Sequence, residues 1–136
     1  MRVFLDANIL FSAAKSDGAV RELVNQIVDA GHECWVDDYV AVEARRNLET
    51  KGPHALAEFE KLLACMHVSS LQAPGRPLAA VDWLPEKDRP VLTAAIRLRC
   101  DALITGDRRH FGRGYGKVFG GVAIHSPRSF AELLFG

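Results

Sequence analysis

The stretch "DRPVLTAAIRLRCDALITGD" (residues 88–107) decides the architecture. It reads as a helix from about Arg89 to Cys100, with Asp88 at its N-terminus, followed by the short buried strand "ALIT" that ends at Gly106 and Asp107. Short apolar strands alternating with helices call for a parallel sheet covered on both faces. Such a sheet gathers functional groups beyond the carboxyl ends of its strands, where loops and helix N-termini converge.

Outward from this stretch the same alternation continues. Arg2 to Leu5 reads as a first strand ending at Asp6. Val20, Leu23, Val24, Ile27 and Val28 fall at helical spacing between Asp17 and Ala30, with Ser16 or Asp17 as cap and Gly31 just past the end. Glu33 to Val36 is a second strand, after which Asp37 or Asp38 caps a helix that carries Glu43 about one turn in. Lys51, Gly52 and Pro53 break that helix, and Pro53 opens the next, where Leu56, Phe59, Leu62, Leu63 and Met66 form an apolar stripe. A short strand is expected near His67 to Leu71. The segment 72–90 holds four of the six prolines and reads as an irregular connection. At the C-terminal side, "VAIH" (122–125) is a strand, and Ser126 and Pro127 start a closing helix through Phe130, Leu133 and Leu134. The expectation is a single α/β domain over residues 1–136 with a mostly parallel, roughly five-stranded sheet and no internal repeat.

Composition narrows the class. The 136 residues include 17 Lys plus Arg against 17 Asp plus Glu, so no overall basic field attracts a polyanion. Any nucleic acid has to be held locally. Cys34, Cys65 and Cys100 form no C-x-x-C pair, which argues against a disulfide scaffold or a thiolate zinc knuckle and for a reducing, cytoplasmic setting. The apolar start is too short for a signal segment, and no window approaches the ~20 apolar residues of a membrane span.

The acids sort by edge. Asp6 and Asp107 each follow a strand, and Glu43 and Asp88 sit near the starts of helices that begin at the same carboxyl edge. Asp101 precedes "ALIT" and belongs to the opposite edge, as a solvated residue leading into the strand. Four carboxylates brought together repel one another unless a cation compensates them. All-oxygen ligands suit Mg²⁺ or Mn²⁺, and His32, His54, His67, His110 and His125 show no zinc-type spacing. A carboxylate-held divalent ion activates water and neutralises phosphodiester charge, which is nuclease chemistry. Each acid also has a plainer reading. Asp6 and Asp107 fit turns, Asp88 or its neighbour Glu86 fits a helix cap, and Glu43 fits an exposed pair with Arg46 or Asn47. Arg108, Arg109, His110, Arg113 and Lys117 follow Asp107 without an acid between them. They read either as a flexible solvated loop aided by Gly112, Gly114 and Gly116, or as a phosphate clamp with Phe111, Tyr115 or Phe119 free to stack on a base. A D-x-D phosphatase is disfavoured, because "DAN" lacks the second aspartate.

Taken in order, "FLDANIL" (4–10), "VEARRNL" (42–48), "DRPVLTAAIRLRCDALITGDRRHF" (88–111) and "IHSPRSFAELL" (124–134) resemble the sequence blocks of PIN-domain proteins, especially toxin-like ribonucleases of the VapC type. The resemblance spans nearly the whole chain, except about 51–86. It implies a three-layer α/β/α fold and a metal-dependent endoribonuclease. By resemblance Asp6, Glu43, Asp88 and Asp107 hold Mg²⁺ or Mn²⁺, while Asn8 and Thr105 orient carboxylates or bound water. It further implies RNA as substrate, contacted by Arg108, Arg109, Arg113 and Lys117, an antitoxin partner that inserts Arg or Lys among the acids, and a homodimer. The alternatives are a PIN-type nuclease that is no toxin, or an RNA-binding regulatory module.

Overall fold

The computed structural model describes residues 1–70 and 76–136. The chain starts with β1 (Arg2–Leu5), whose last three residues are fully buried. Lack of burial alternation marks a strand covered on both faces, and β4 (Ala102–Ile104) has the same pattern. β2 is Glu33–Asp37, β3 is His67–Ser69, β5 is Val118–Phe119 and β6 is Val122–His125. The sheet order is β3-β2-β1-β4-β6-β5, parallel throughout except for the antiparallel β5–β6 hairpin. The sheet therefore has six strands rather than five, the extra one being the two-residue edge strand β5. Leu71, the expected end of β3, and the first part of the proline-rich connection lie outside the described residues.

Seven α-helices flank these strands among the described residues: α1 (Ala7–Lys15), α2 (Ala19–Asp29), α3 (Asp38–Lys51), α4 (Leu56–Ala64), α5 (Arg89–Arg97), α6 (Arg108–Phe111) and α7 (Pro127–Phe135). The result is the three-layer α/β/α arrangement that the sequence leads one to expect. α1 is the element the sequence reading passed over. It follows β1 with no intervening loop and packs against α2, α3 and α4, burying Ala7, Ile9, Leu10, Ala13 and Ala14. Its buried residues fall at helical spacing, but only Asp6 separates them from the apolar run of β1.

Other helix ends moved for identifiable reasons. Gly18, not Ser16 or Asp17, occupies the N-cap of α2, because Ser16 instead closes α1. α5 stops at Arg97, short of Cys100, and Arg99 adopts a left-handed backbone (φ 55°) that turns the chain into β4. Asp37 caps α3 through the Val40 N–H, and Ser126 with Ser129 forms a reciprocal capping box on α7. Leu133 on α7 is exposed, so Phe130 alone anchors that helix with a fully buried side chain. Among the described residues no helix is long and apolar enough to cross a membrane.

Candidate metal centre at the carboxyl edge

The register of the central strands builds the site. Leu5 pairs with Ile104 across the parallel β1–β4 ladder, and the Asp6 N–H continues it by donating to the Ile104 carbonyl at 3.1 Å. The next residues on the two strands, Asp6 and Thr105, therefore lie side by side although 99 positions apart. The Thr105 hydroxyl donates to Asp6 Oδ2 at 2.8 Å, and the Ala7 N–H donates to Asp6 Oδ1 at 2.7 Å. Asn8 completes the bridge. Its amide nitrogen donates to Asp6 Oδ2 at 3.2 Å, while its carbonyl oxygen accepts the Gly106 N–H at 2.8 Å. A Cβ at position 106 would stand 3.3 Å from that oxygen, so glycine lets the "TGD" backbone close on Asn8. Asp107 is fixed in turn by its own N–H, which donates to the Thr105 hydroxyl at 3.1 Å.

Asp6, Asn8, Glu43, Asp88 and Asp107 line one cavity of about 270 Å³. Each of the four acids assigned by sequence is thus at the same cleft, whereas Glu86 is exposed and Asp101 lies at the far edge. Burial raises Asp6 from 3.8 to about 6; hydrogen bonds from Thr105 and Ala7 oppose the shift, and the charges of Glu43 and Asp107 add to it. Burial likewise pushes the Tyr39 hydroxyl up, reinforced by Glu43, Asp88, Asp6 and Asp37. Neighbouring carboxylates therefore act on both Asp6 and Tyr39.

Asp88 gives the clearest sign of a missing partner. It occupies the N-cap position of α5, but its side chain caps nothing, which removes the plainer reading of this residue. Its Oδ2 is buried without a hydrogen bond. The ring beside it is that of His110, whose Nδ1 lies 3.3 Å from Asp88 Oδ2 and 2.8 Å from Asp107 Oδ2. Carboxylates only accept, so Nδ1 carries the proton; one proton serves the shorter contact and leaves the Asp88 oxygen an ion-pair neighbour alone. A buried carboxylate oxygen lacking a donor beside further carboxylates is a donor set suited to a divalent cation.

The basic segment after Asp107 is not a flexible loop. Arg108 to Phe111 form α6, capped by Asp107 through the His110 N–H, and a 3-10 turn follows at Gly112–Gly114. Phe111 is fully buried and cannot stack on a base. Tyr115 donates its hydroxyl to the Thr105 carbonyl, Phe119 stacks on Trp83, and Arg113 donates to the Trp83 carbonyl. Gly114 serves close packing rather than flexibility, since a Cβ there would meet Trp83 at 2.6 Å. Arg108, Arg109 and Lys117 are exposed, but none lines the cleft.

The cleft's cations are Lys51 and Lys87, and its aromatic walls are Phe11 and Tyr39. Sequence reasoning missed them as a set. The signal was present on α3, where Tyr39, Glu43, Asn47 and Lys51 recur every four residues and so share one helix face. His110 was grouped with the arginines; its spacing from Asp107, one helical turn, was the available clue.

Fold and cleft together define an α/β/α protein with an acidic cleft at the carboxyl edge of a mostly parallel sheet. The chain belongs to the PIN domain family, whose sequence profile matches residues 2–109. No curated protein sequence is similar enough to serve as a relative. Among solved structures, the fold is similar to a chain in the crystal structure of VapBC2 from Rickettsia felis bound to a DNA fragment from their promoter. The TM-score is 0.63 at 12% identity, covering 93% of this chain and 98% of that one.

Proposed function

We propose that this chain is a Mg²⁺- or Mn²⁺-dependent endoribonuclease and acts as the toxin of a toxin–antitoxin pair. The observation that carries the nuclease reading is the convergence of Asp6, Glu43, Asp88 and Asp107 on one cleft, with an orphaned Asp88 oxygen and without a lysine or arginine ion pair among the described contacts. Membership of the PIN domain family and the likeness in fold to the VapBC2 structure support the toxin role.

In this reading the four carboxylates hold the cation. When bound, it supplies positive charge against the phosphodiester and lowers the pKa of a water. Thr105 and Asn8 keep Asp6 in one rotamer by hydrogen bonds to Oδ2, so the carboxylate needs no reorganisation as substrate arrives. Lys51 and Lys87 are placed to take phosphates flanking the scissile one, with Arg108 and Arg109 extending the track beyond the cleft. Tyr39, about half exposed, offers a ring to an unpaired base, which favours single-stranded over duplex substrate.

The purified chain is expected to cleave a panel of single-stranded RNAs in Mn²⁺, and EDTA is expected to stop it. Cleavage that persists in EDTA, or that a folded Asp6→Asn variant performs at the wild-type rate, removes the reading. Growth arrest on expression, relieved by a small neighbouring gene, tests the toxin role; free tolerance of high expression sinks that role and leaves the nuclease standing.

A further inference from the structure

We propose that His110 is itself a ligand of the catalytic cation, through Nδ1, and that it tilts the site toward Mn²⁺ over Mg²⁺. The inference rests on the metal-dependent reading above and concerns which atoms hold the ion. Asp88, Asp107 and His110 each present one ligand atom, and the three lie within 4.8 Å of one another. Two of the separations are tighter: Nδ1 stands 2.8 Å from Asp107 Oδ2 and 3.3 Å from Asp88 Oδ2. Atoms bound about 2.1 Å from an octahedral ion sit about 3 Å apart on adjacent vertices. The imidazole nitrogen is therefore already spaced from both carboxylates as neighbouring ligands are. The Nδ1 proton is directed at Asp107, so the contact to Asp88 leaves that buried oxygen without a hydrogen bond, and a shared cation would satisfy it.

Local structure holds the ring in this place. Asp107 caps the single turn of α6 through the His110 backbone N–H, and that turn aims the side chain back over the cap. Phe111, fully buried next to it, anchors the turn in the core. Binding of the cation would displace the Nδ1 proton to solvent, and the neutral ring, protonated on Nε2, would then offer its Nδ1 lone pair to the ion. Carboxylates bind Mg²⁺ and Mn²⁺ alike, whereas an imidazole nitrogen favours first-row transition ions. One nitrogen among oxygens raises the Mn²⁺ preference without excluding Mg²⁺.

Pulsed electron paramagnetic resonance on the full chain loaded with Mn²⁺ alone reads the ligand directly, and calorimetry with Mn²⁺ or Mg²⁺ reads selectivity. The wild type is expected to show a directly bound ¹⁴N coupling and tighter Mn²⁺ than Mg²⁺ binding. His110→Asn, which can still donate to Asp107, is expected to lose the ¹⁴N coupling and at least about tenfold in Mn²⁺ affinity, with Mg²⁺ affinity nearly unchanged. Mn²⁺ bound to the wild type without ¹⁴N coupling, or a coupling that survives in His110→Asn, overturns the ligand role and leaves the metal-dependent reading intact. Failure of the wild type to bind either ion removes both. The wild-type spectrum decides the matter even where the variant does not fold.

Discussion

The two ends of strands β1 and β4 carry acids in opposite circumstances. At the amino end, Asp101 accepts the Arg2 backbone N–H at 2.8 Å, and Glu33 lies 3.5 Å from the Arg2 guanidinium and accepts the Trp35 indole N–H. The Trp35 hydrogen bond, with His67, Arg2 and the N-terminus beyond it, holds the Glu33 carboxyl below its usual range. At the carboxyl end, burial and neighbouring carboxylates drive Asp6 up to about 6. At the amino end Glu33 has an arginine beside it, whereas at the carboxyl end Asp6 has hydrogen-bond donors but no arginine or lysine ion pair and feels the charges of Glu43 and Asp107. Charge left uncompensated inside a fold is where a ligand is to be sought.

The sharpest way to break this comparison is to neutralise one acid at each end. Asp107→Asn is expected to lower RNA cleavage by about 10²–10³-fold, the scale of losing one preorganised electrostatic group, while Asp101→Asn leaves it unchanged. Equal losses would mean that the two ends do not differ as argued. Kinetics on both folded variants with one RNA substrate read the difference.

A second contrast lies in stability without metal. The folded pKa of Asp6, about 6, exceeds its ordinary 3.8, so the folded state holds the proton more tightly than the unfolded one. The stability this gives is complete below about pH 4 and is lost as pH rises through about 6. Neutralising the residue should therefore stabilise the metal-free protein at pH 7, by up to about 3 kcal/mol. Denaturant melts of Asp6→Asn and wild type in EDTA at pH 4 and 7 check this. A variant weaker than wild type at pH 7 would show that the lost hydrogen bonds outweigh the relieved charge.

The smallest effect belongs to the amino end. Arg2→Ala removes a half-exposed ion pair with Glu33, together with a hydrogen bond to the Leu98 carbonyl and a cation–π contact with Trp35. Exposed pairs of this kind contribute about 0–1 kcal/mol and weaken with salt. A melt in low and high salt should find a cost of that order and no change in cleavage.

Much of this was legible in the chain. The alternation of short apolar runs with helices required a parallel sheet, and the direction of a parallel strand fixes which acid stands at which end. That is why Asp6 and Asp107 were separable from Asp101 before any coordinates. α1 was passed over although Ile9, Leu10, Ala13 and Ala14 fall at helical spacing, because only Asp6 separates it from β1 and the two apolar runs merge in the sequence. Nor was the fate of the basic segment legible: Arg108, Arg109, His110, Arg113, Lys117 and three glycines look solvated, yet Phe111 is driven into the core and Gly114 admits Trp83.

Local pattern determined the element types and the strand polarity, because periodicity and burial are written residue by residue; the choice of Glu43 and Asp88 leaned on the family resemblance. Only the tertiary structure decided the partners. Thr105 meets Asp6 because β4 is the strand that lies beside β1 in that register, and His110 meets Asp88 because α6 turns back toward the start of α5. Such contacts join positions far apart in sequence. They depend on sheet order and packing, which no local run of residues specifies.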